Sequence, residues 1–170
     1  GSYLIYLFGT SDNNQIVNNI AESTRSTGIF IKTSNNNISN NKINLSTGSS
    51  YGINLNGNNN NITNNIIGMT RSGLYDNFDS YSIVLSLSDN NTINDNILNG
   101  ERRNHGIGIS SSNNNIANNN RITASGDSSY GLYISSANNN NFTANTILTT
   151  NASAYGVYIF SAYNNAIINS

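Results

Sequence analysis

Residues 52–67 read GINLNGNNNNITNNII, and the same pattern returns along the chain. It appears as GIFIKTSNNNISNNKI from Gly28, SIVLSLSDNNTINDNIL from Ser82 and GIGISSSNNNIANNNRI from Gly106. GLYISSANNNNFTANTI follows from Gly131 and GVYIFSAYNNAII from Gly156, and a degenerate first copy runs from about Tyr3 to Ile20. Each copy opens with an apolar-x-apolar pair: Ile29/Ile31, Ile53/Leu55, Ile83/Leu85, Ile107/Ile109, Leu132/Ile134 and Val157/Ile159. That is the period-two alternation of a strand, and it is too short for a helix. A second apolar position follows an Asn pair (Ile38, Ile62, Ile93, Ile116, Phe142, Ile167), and a third follows about five residues later (Ile43, Ile67, Leu98, Ile147). Three short strands in roughly 24 residues describe one triangular coil, which can bury its apolar face only by stacking on the next. The expected fold is all-β: a single-stranded parallel β-helix of about seven coils, starting near residues 3, 28, 52, 82, 106, 131 and 156 of one 1–170 domain.

Composition agrees. Forty of the 170 residues are Asn, 36% are hydrophobic and 9% are charged, the last against roughly 25% in ordinary soluble domains. The even spacing of the apolar residues separates the chain from a disordered Asn-rich tract. Pro is absent, as a solenoid requires when nearly every strand amide must donate to the next coil. Cys is absent too, which removes disulfides, thiol catalysis and thiolate metal sites.

Two Asn columns are expected to form ladders along the axis. The first comprises Asn14, Asn36, Asn60, Asn91, Asn114, Asn140 and Asn165; the second comprises Asn19, Asn41, Asn65, Asn96, Asn119 and Asn145. Asn tolerates a left-handed corner, and its amide carries both donor and acceptor, so copies one coil apart can bond to each other.

The G-I-x-L…N-N-x-I-T-N-N-x-I pattern of residues 52–66 resembles the NosD-type right-handed parallel β-helix repeat. That repeat is shared with carbohydrate-binding and sugar-hydrolase β-helices and with methanogen surface proteins. The resemblance covers nearly the whole chain and implies a right-handed solenoid. It leaves function to whatever site is grafted on the scaffold.

Candidate sites are few. The copy from Gly52 carries about six extra residues, so 68–80 is expected to loop out at a corner beside the next coil's Glu101, Arg102, Arg103 and His105. Arg71, Asp76 and Asp79 join this cluster. One reading is a site for an acidic sugar, with Arg as anion clamp and His105 or an Asp moving a proton. The other is a solvated ion-pair cluster that pins the loop, and it is preferred. A calcium site at Asp76 and Asp79 would have to gather six to eight oxygens, and the Gly/Asp nonapeptide pattern is missing. A second surface is aromatic: Tyr51, Tyr81, His105, Tyr130 and Tyr155 precede successive coil starts, with Tyr133 and Tyr158 outward on the first strand. Such rings could grip a sugar face or simply stack in register.

The net charge of -1 offers no footprint for nucleic acid, and the apolar run Tyr3 to Phe8 is too short to span a bilayer. With one His, one Met and no Cys, no cofactor or metal is expected. Six N-x-Ser/Thr sequons, at Asn37, Asn44, Asn61, Asn90, Asn141 and Asn151, fit an extracellular or cell-surface location. The favoured role is a structural surface scaffold that self-associates end to end into a filament or layer. The alternative is a carbohydrate-binding or polysaccharide-cleaving β-helix, with glycans as partners.

Overall fold

In the computed structural model, residues 2–24, 26–46, 50–70 and 79–170 are described. Their strands form three parallel sheets, and each coil but the last contributes one strand to each sheet; the last contributes to the first two. The first sheet stacks Tyr3–Leu7, Thr27–Ile31, Tyr51–Leu55, Ser80–Ser86, Asn104–Ser110, Tyr130–Ser135 and Tyr155–Phe160. The second stacks Gln15–Val17, Asn37–Ser39, Asn61–Thr63, Thr92–Asn94, Ile116–Asn118, Asn141–Thr143 and Ala166–Ile168. The third stacks Ile20–Ser23, Lys42–Leu45, Ile66–Met69, Ile97–Gly100, Arg121–Ala124 and Thr146–Thr149. This is the β-solenoid expected from the repeat.

The core consists of apolar columns one residue wide. Ile53 pairs with Ile29 and Ile83, Leu55 with Ile31 and Leu85, and all six are fully buried. The third sheet adds Ile43, Ile67, Leu98 and Ile122, also fully buried. Gly28, Gly52, Gly106 and Gly131 sit where the first strand meets this third column. A Cβ on Gly106 would lie 2.3 Å from Ile122 Cγ2 and 2.4 Å from the Gly131 carbonyl oxygen. That clearance is far inside van der Waals contact, so the glycine is required by close approach rather than by its dihedral angles.

The Asn pairs divide their labour. The first member takes positive φ, as at Asn35 (59°), Asn59 (56°), Asn90 (59°) and Asn139 (56°), a region Asn enters more easily than most residues. The second turns inward and is buried. The Asn36 backbone N–H donates to Asn60 Oδ1 at 2.8 Å, and its Nδ2 donates to the same oxygen at 3.0 Å. The step repeats from Asn60 to Asn91 at 2.7 Å, Asn91 to Asn115 at 2.8 Å, Asn115 to Asn140 at 2.8 Å and Asn140 to Asn165 at 2.9 Å. The second ladder runs Asn41, Asn65, Asn96, Asn120 and Asn145 with amide-to-Oδ1 distances of 2.9 to 3.0 Å.

One coil departs from expectation by a single residue. The ladder residues there are Asn115 and Asn120, whereas Asn114 (φ 57°) and Asn119 (φ 52°) are the exposed corner residues before them. The cause is the inward residue of the second strand. Ala117 pairs with Ile93 and Phe142 and is fully buried, while Ile116 is 41% exposed. The small Ala117 lies directly beneath the large Phe142, so neighbouring coils divide the core volume between them. The expected 68–80 insertion is also shorter at its edges: Gly68 and Met69 end a third-sheet strand and Ser80 begins a first-sheet strand. Arg71 and Asp76 lie outside the described residues.

Candidate functional site

On the first sheet, the bend at the Gly (Ser82 in one coil) turns the preceding residue outward, so the outer face carries three parallel columns, the last running through Ser86, Ser110, Ser135 and Phe160. Beyond the bend the strand alternates normally, so Phe30, Asn54, Val84, Gly108, Tyr133 and Tyr158 share a second outward column. The five expected residues do fall in one column. Ring centroids are 6.1 Å apart for Tyr51 and Tyr81, 4.6 Å for Tyr81 and His105, 4.7 Å for His105 and Tyr130, and 5.8 Å for Tyr130 and Tyr155. Tyr133 and Tyr158 run beside them with planes 1° apart at 5.7 Å. Tyr51–Tyr81, His105–Tyr130 and Tyr133–Tyr158 are stacked, whereas Tyr81–His105 and Tyr130–Tyr155 are tilted by 49° and 31°.

Sequence reading missed that the first strand belongs to the same face. Tyr3, Tyr6 and Phe8 are 40, 38 and 61% exposed, and Tyr6 stacks on Phe30 at 5.3 Å. The signal was the pairing of Tyr3 with Thr27 and Tyr6 with Phe30, hidden because the first copy lacks the Gly that opens all but one of the others. Eleven of the thirteen aromatic side chains among the described residues therefore lie on one face of the rod. A buried Ser step at the corner after this sheet was missed as well: Ser88 N–H donates to Ser112 Oγ at 2.9 Å.

His105 is the centre of the charged corner and is only 1% exposed. Its Nδ1 accepts the Tyr130 backbone N–H at 2.9 Å, so the neutral ring carries its proton on Nε2. Nε2 lacks a hydrogen-bond partner and faces Asp79 Oδ1 at 3.6 Å. Burial holds the imidazole pKa below its ordinary 6.5, opposed by the Asp79 carboxylate. Burial, reinforced by Asp79, pushes the Tyr81 phenol well above its usual range, and burial with the neighbouring Tyr158 raises Tyr130. Arg102 and Arg103 occupy positive φ (41° and 47°) at the adjoining corner, where a Cβ on Gly126 would come 2.1 Å from Arg102 Cα. Arg103 also supplies the carbonyl that accepts the Ser80 N–H at 3.3 Å. The structure thus places the exposed Asp79 carboxylate beside His105 at the edge of the aromatic column. The buried imidazole, bonded through Nδ1 and shielded at Nε2 by Asp79, is poorly placed to exchange protons with an outside substrate.

Beside the column lies a groove of about 380 Å³ lined by Tyr51, Tyr81, Tyr133, Asn54, Asn56, Val84, Gly108 and serine side chains. A second, of about 520 Å³, lies on the third sheet around Glu22, Asn44, Gly68 and Thr70.

A family model described as "Periplasmic copper-binding protein (NosD)" matches residues 74–170, more than half of the chain. No curated protein and no solved structure matches the sequence. Copper takes imidazole, thioether or thiolate ligands, and these residues do not fit it. His105 is committed as described, Met69 is 2% exposed within the core, and there is no Cys. Among the described residues no group of three or more His, Cys, Asp or Glu side chains could hold a metal. The match and the parallel solenoid agree on ancestry while the copper ligands do not follow: the chain belongs to the NosD family.

Proposed function

We propose that this protein is a structural β-solenoid working outside the cytoplasm, a stiff rod that spaces or coats rather than catalyses. The observation that carries this reading is the pair of asparagine ladders, in register at every step from Asn36 to Asn165 and from Asn41 to Asn145. The buried amides of these columns are committed to holding coil on coil. The family description supports the location, since it is periplasmic. A polysaccharide-cleaving role is less well supported, because His105 is shielded and its neighbours are structural.

In its fuller form the rod also adds axially. Each coil offers the next the same donors and acceptors, so a further coil of this repeat would extend both ladders with little mismatch, whether it came from this chain or from a second copy. A head-to-tail contact without a closing rotation builds an open filament. Light scattering over a concentration series tests this, with Ile167→Lys as the comparison because Ile167 continues the Phe142 core column. Growth of mass with concentration, suppressed by the lysine, is the expected result. A monomer at every concentration would end the filament form, and release of reducing ends from acidic polysaccharides would overturn the non-catalytic reading.

A further inference from the structure

The groove on the aromatic face has the features of a binding site, and we propose that it takes a neutral saccharide segment. Its floor is the place where the second outward column loses its side chain. Gly108 lies between Val84 and Tyr133 in that column. A Cβ there would be 2.6 Å from both Cδ1 and Cε1 of Tyr81, so the Tyr81 ring leans over the bare backbone. Tyr51 extends this wall at 6.1 Å from Tyr81, and Tyr133 closes one end. The opposite end is Asn54, whose Oδ1 is shielded from water and has no hydrogen-bond partner.

That combination selects the ligand class. A shielded carbonyl oxygen without a donor is costly, and a ligand hydroxyl would satisfy it. Aromatic walls suit a partner with an apolar face, and the amide and serine side chains suit one with hydroxyl edges. The described residues lining the groove carry no charge, so nothing there would offset the desolvation of an acidic sugar. A pyranose has an apolar C–H face, a hydroxyl rim and no charge. The volume, about 380 Å³, sits at the small end of the range for ligand sites and suits a short stretch of a chain that continues along the rod. This proposal is independent of the scaffold role, since filling or emptying the groove leaves the ladders intact.

The test is titration of the whole chain with cello-, manno-, xylo-, malto- and chito-hexaose, with trigalacturonate as the acidic probe. Binding would be followed by calorimetry and by tyrosine fluorescence, which is uncomplicated because the chain has no Trp. At least one neutral hexaose should bind at least tenfold more tightly than trigalacturonate. Asn54→Ala should weaken that binding tenfold or more while leaving the melting temperature unchanged or higher, because no internal hydrogen bond is lost. A purely structural Asn54 would not give this split. Gly108→Val, which fills the floor, should abolish binding. The proposal falls if no neutral hexaose binds, if trigalacturonate binds as well, or if Asn54→Ala keeps full affinity. It also falls if the tyrosine signal changes with protein concentration alone and Gly108→Val stops the change, because the occupant would then be a second copy of this face.

Discussion

Replacing Asn115 by alanine removes four hydrogen bonds from the middle of the rod. Its Oδ1 accepts the Asn91 backbone N–H at 2.8 Å and Asn91 Nδ2 at 3.1 Å; its Nδ2 donates to the Ser88 carbonyl at 3.0 Å and to Asn140 Oδ1 at 3.0 Å. Two of the losses are cushioned. Asn91 Nδ2 keeps the Asp89 carbonyl at 3.1 Å, and Asn140 Oδ1 keeps the residue-115 backbone N–H at 2.8 Å. The Asn91 N–H and the Ser88 carbonyl lose this partner in residues that are 1 and 0% exposed. At about 1–3 kcal/mol for each buried group left unpaired, the substitution should cost about 2–6 kcal/mol. Asn114→Ala is the matched control. Its side chain points to water, and only the ease of Asn at φ 57° is lost, worth about 1 kcal/mol. Urea unfolding followed by far-ultraviolet circular dichroism measures both, with equal slopes confirming that stability alone changed. If Asn114→Ala costs as much as Asn115→Ala, the ladder does not run through residue 115 and the packing of this coil is wrong.

Ala144 holds a corner position at φ 54° that Asn or Asp fills in the preceding coils, so Ala144→Asn should raise stability by about 1 kcal/mol, read as a higher urea midpoint. Gly106→Ser should cost about 1–3 kcal/mol through its clash with Ile122 Cγ2, and adding Ile122→Leu should recover part of it, as a double-mutant cycle would show. The pH dependence follows from His105. Its folded pKa lies below 6.5 through burial, so the unfolded chain holds the proton more tightly; stability is flat above pH 6.5 and falls as pH drops below it. Melting temperatures across that range should show this loss, His105→Tyr should remove it, and Asp79→Asn, which deletes the opposing carboxylate, should extend it to lower pH.

The Ser82 coil supplies the reason for the paired substitution. Ser82 stands where neighbouring coils have Gly, fully buried and with its hydroxyl unpaired, and the third-strand residue of that coil is Leu98 rather than Ile. Leu lacks the Cγ2 methyl that crowds the glycines elsewhere. Gly with Ile and Ser with Leu are two solutions to one steric problem. Such compensation was present in the sequence and invisible without knowing which columns touch. The slip at Asn114 has a similar origin. In a run of three Asn followed by Ile116 and Ala117, hydrophobicity favours Ile116 as the inward residue. The steps from Leu85 to Asn91 and from Ile134 to Asn140 equal the step from Ile109 to Asn115, and that regularity was the better guide. The extra residue in these turns takes positive φ at Leu87, Ser111 and Ser136.

Stacking explains why the interior was legible and the outer face was not. An inward side chain must match the coils above and below, so Ile, Leu and Asn recur in register and announce themselves by repetition. Outward positions answer to weaker constraints: the column through Phe30, Asn54, Val84, Gly108, Tyr133 and Tyr158 changes chemistry at almost every step. Gly108 shows the difficulty. In GIGI it reads as one more structural glycine beside Gly106, yet Gly106 is forced by a neighbouring carbonyl and a methyl, whereas at Gly108 a Cβ would crowd the Tyr81 ring at 2.6 Å and meet Val84 Cγ2 only at an ordinary 3.5 Å. A glycine whose only crowding neighbour is an aromatic side chain is not needed by the coil, since that ring could turn aside for a methyl group. What its missing side chain leaves is bare backbone under the Tyr81 ring and next to Tyr133, on the face where the aromatic residues collect. In a solenoid the departures from the repeat on an outward column are therefore the positions to test first for function.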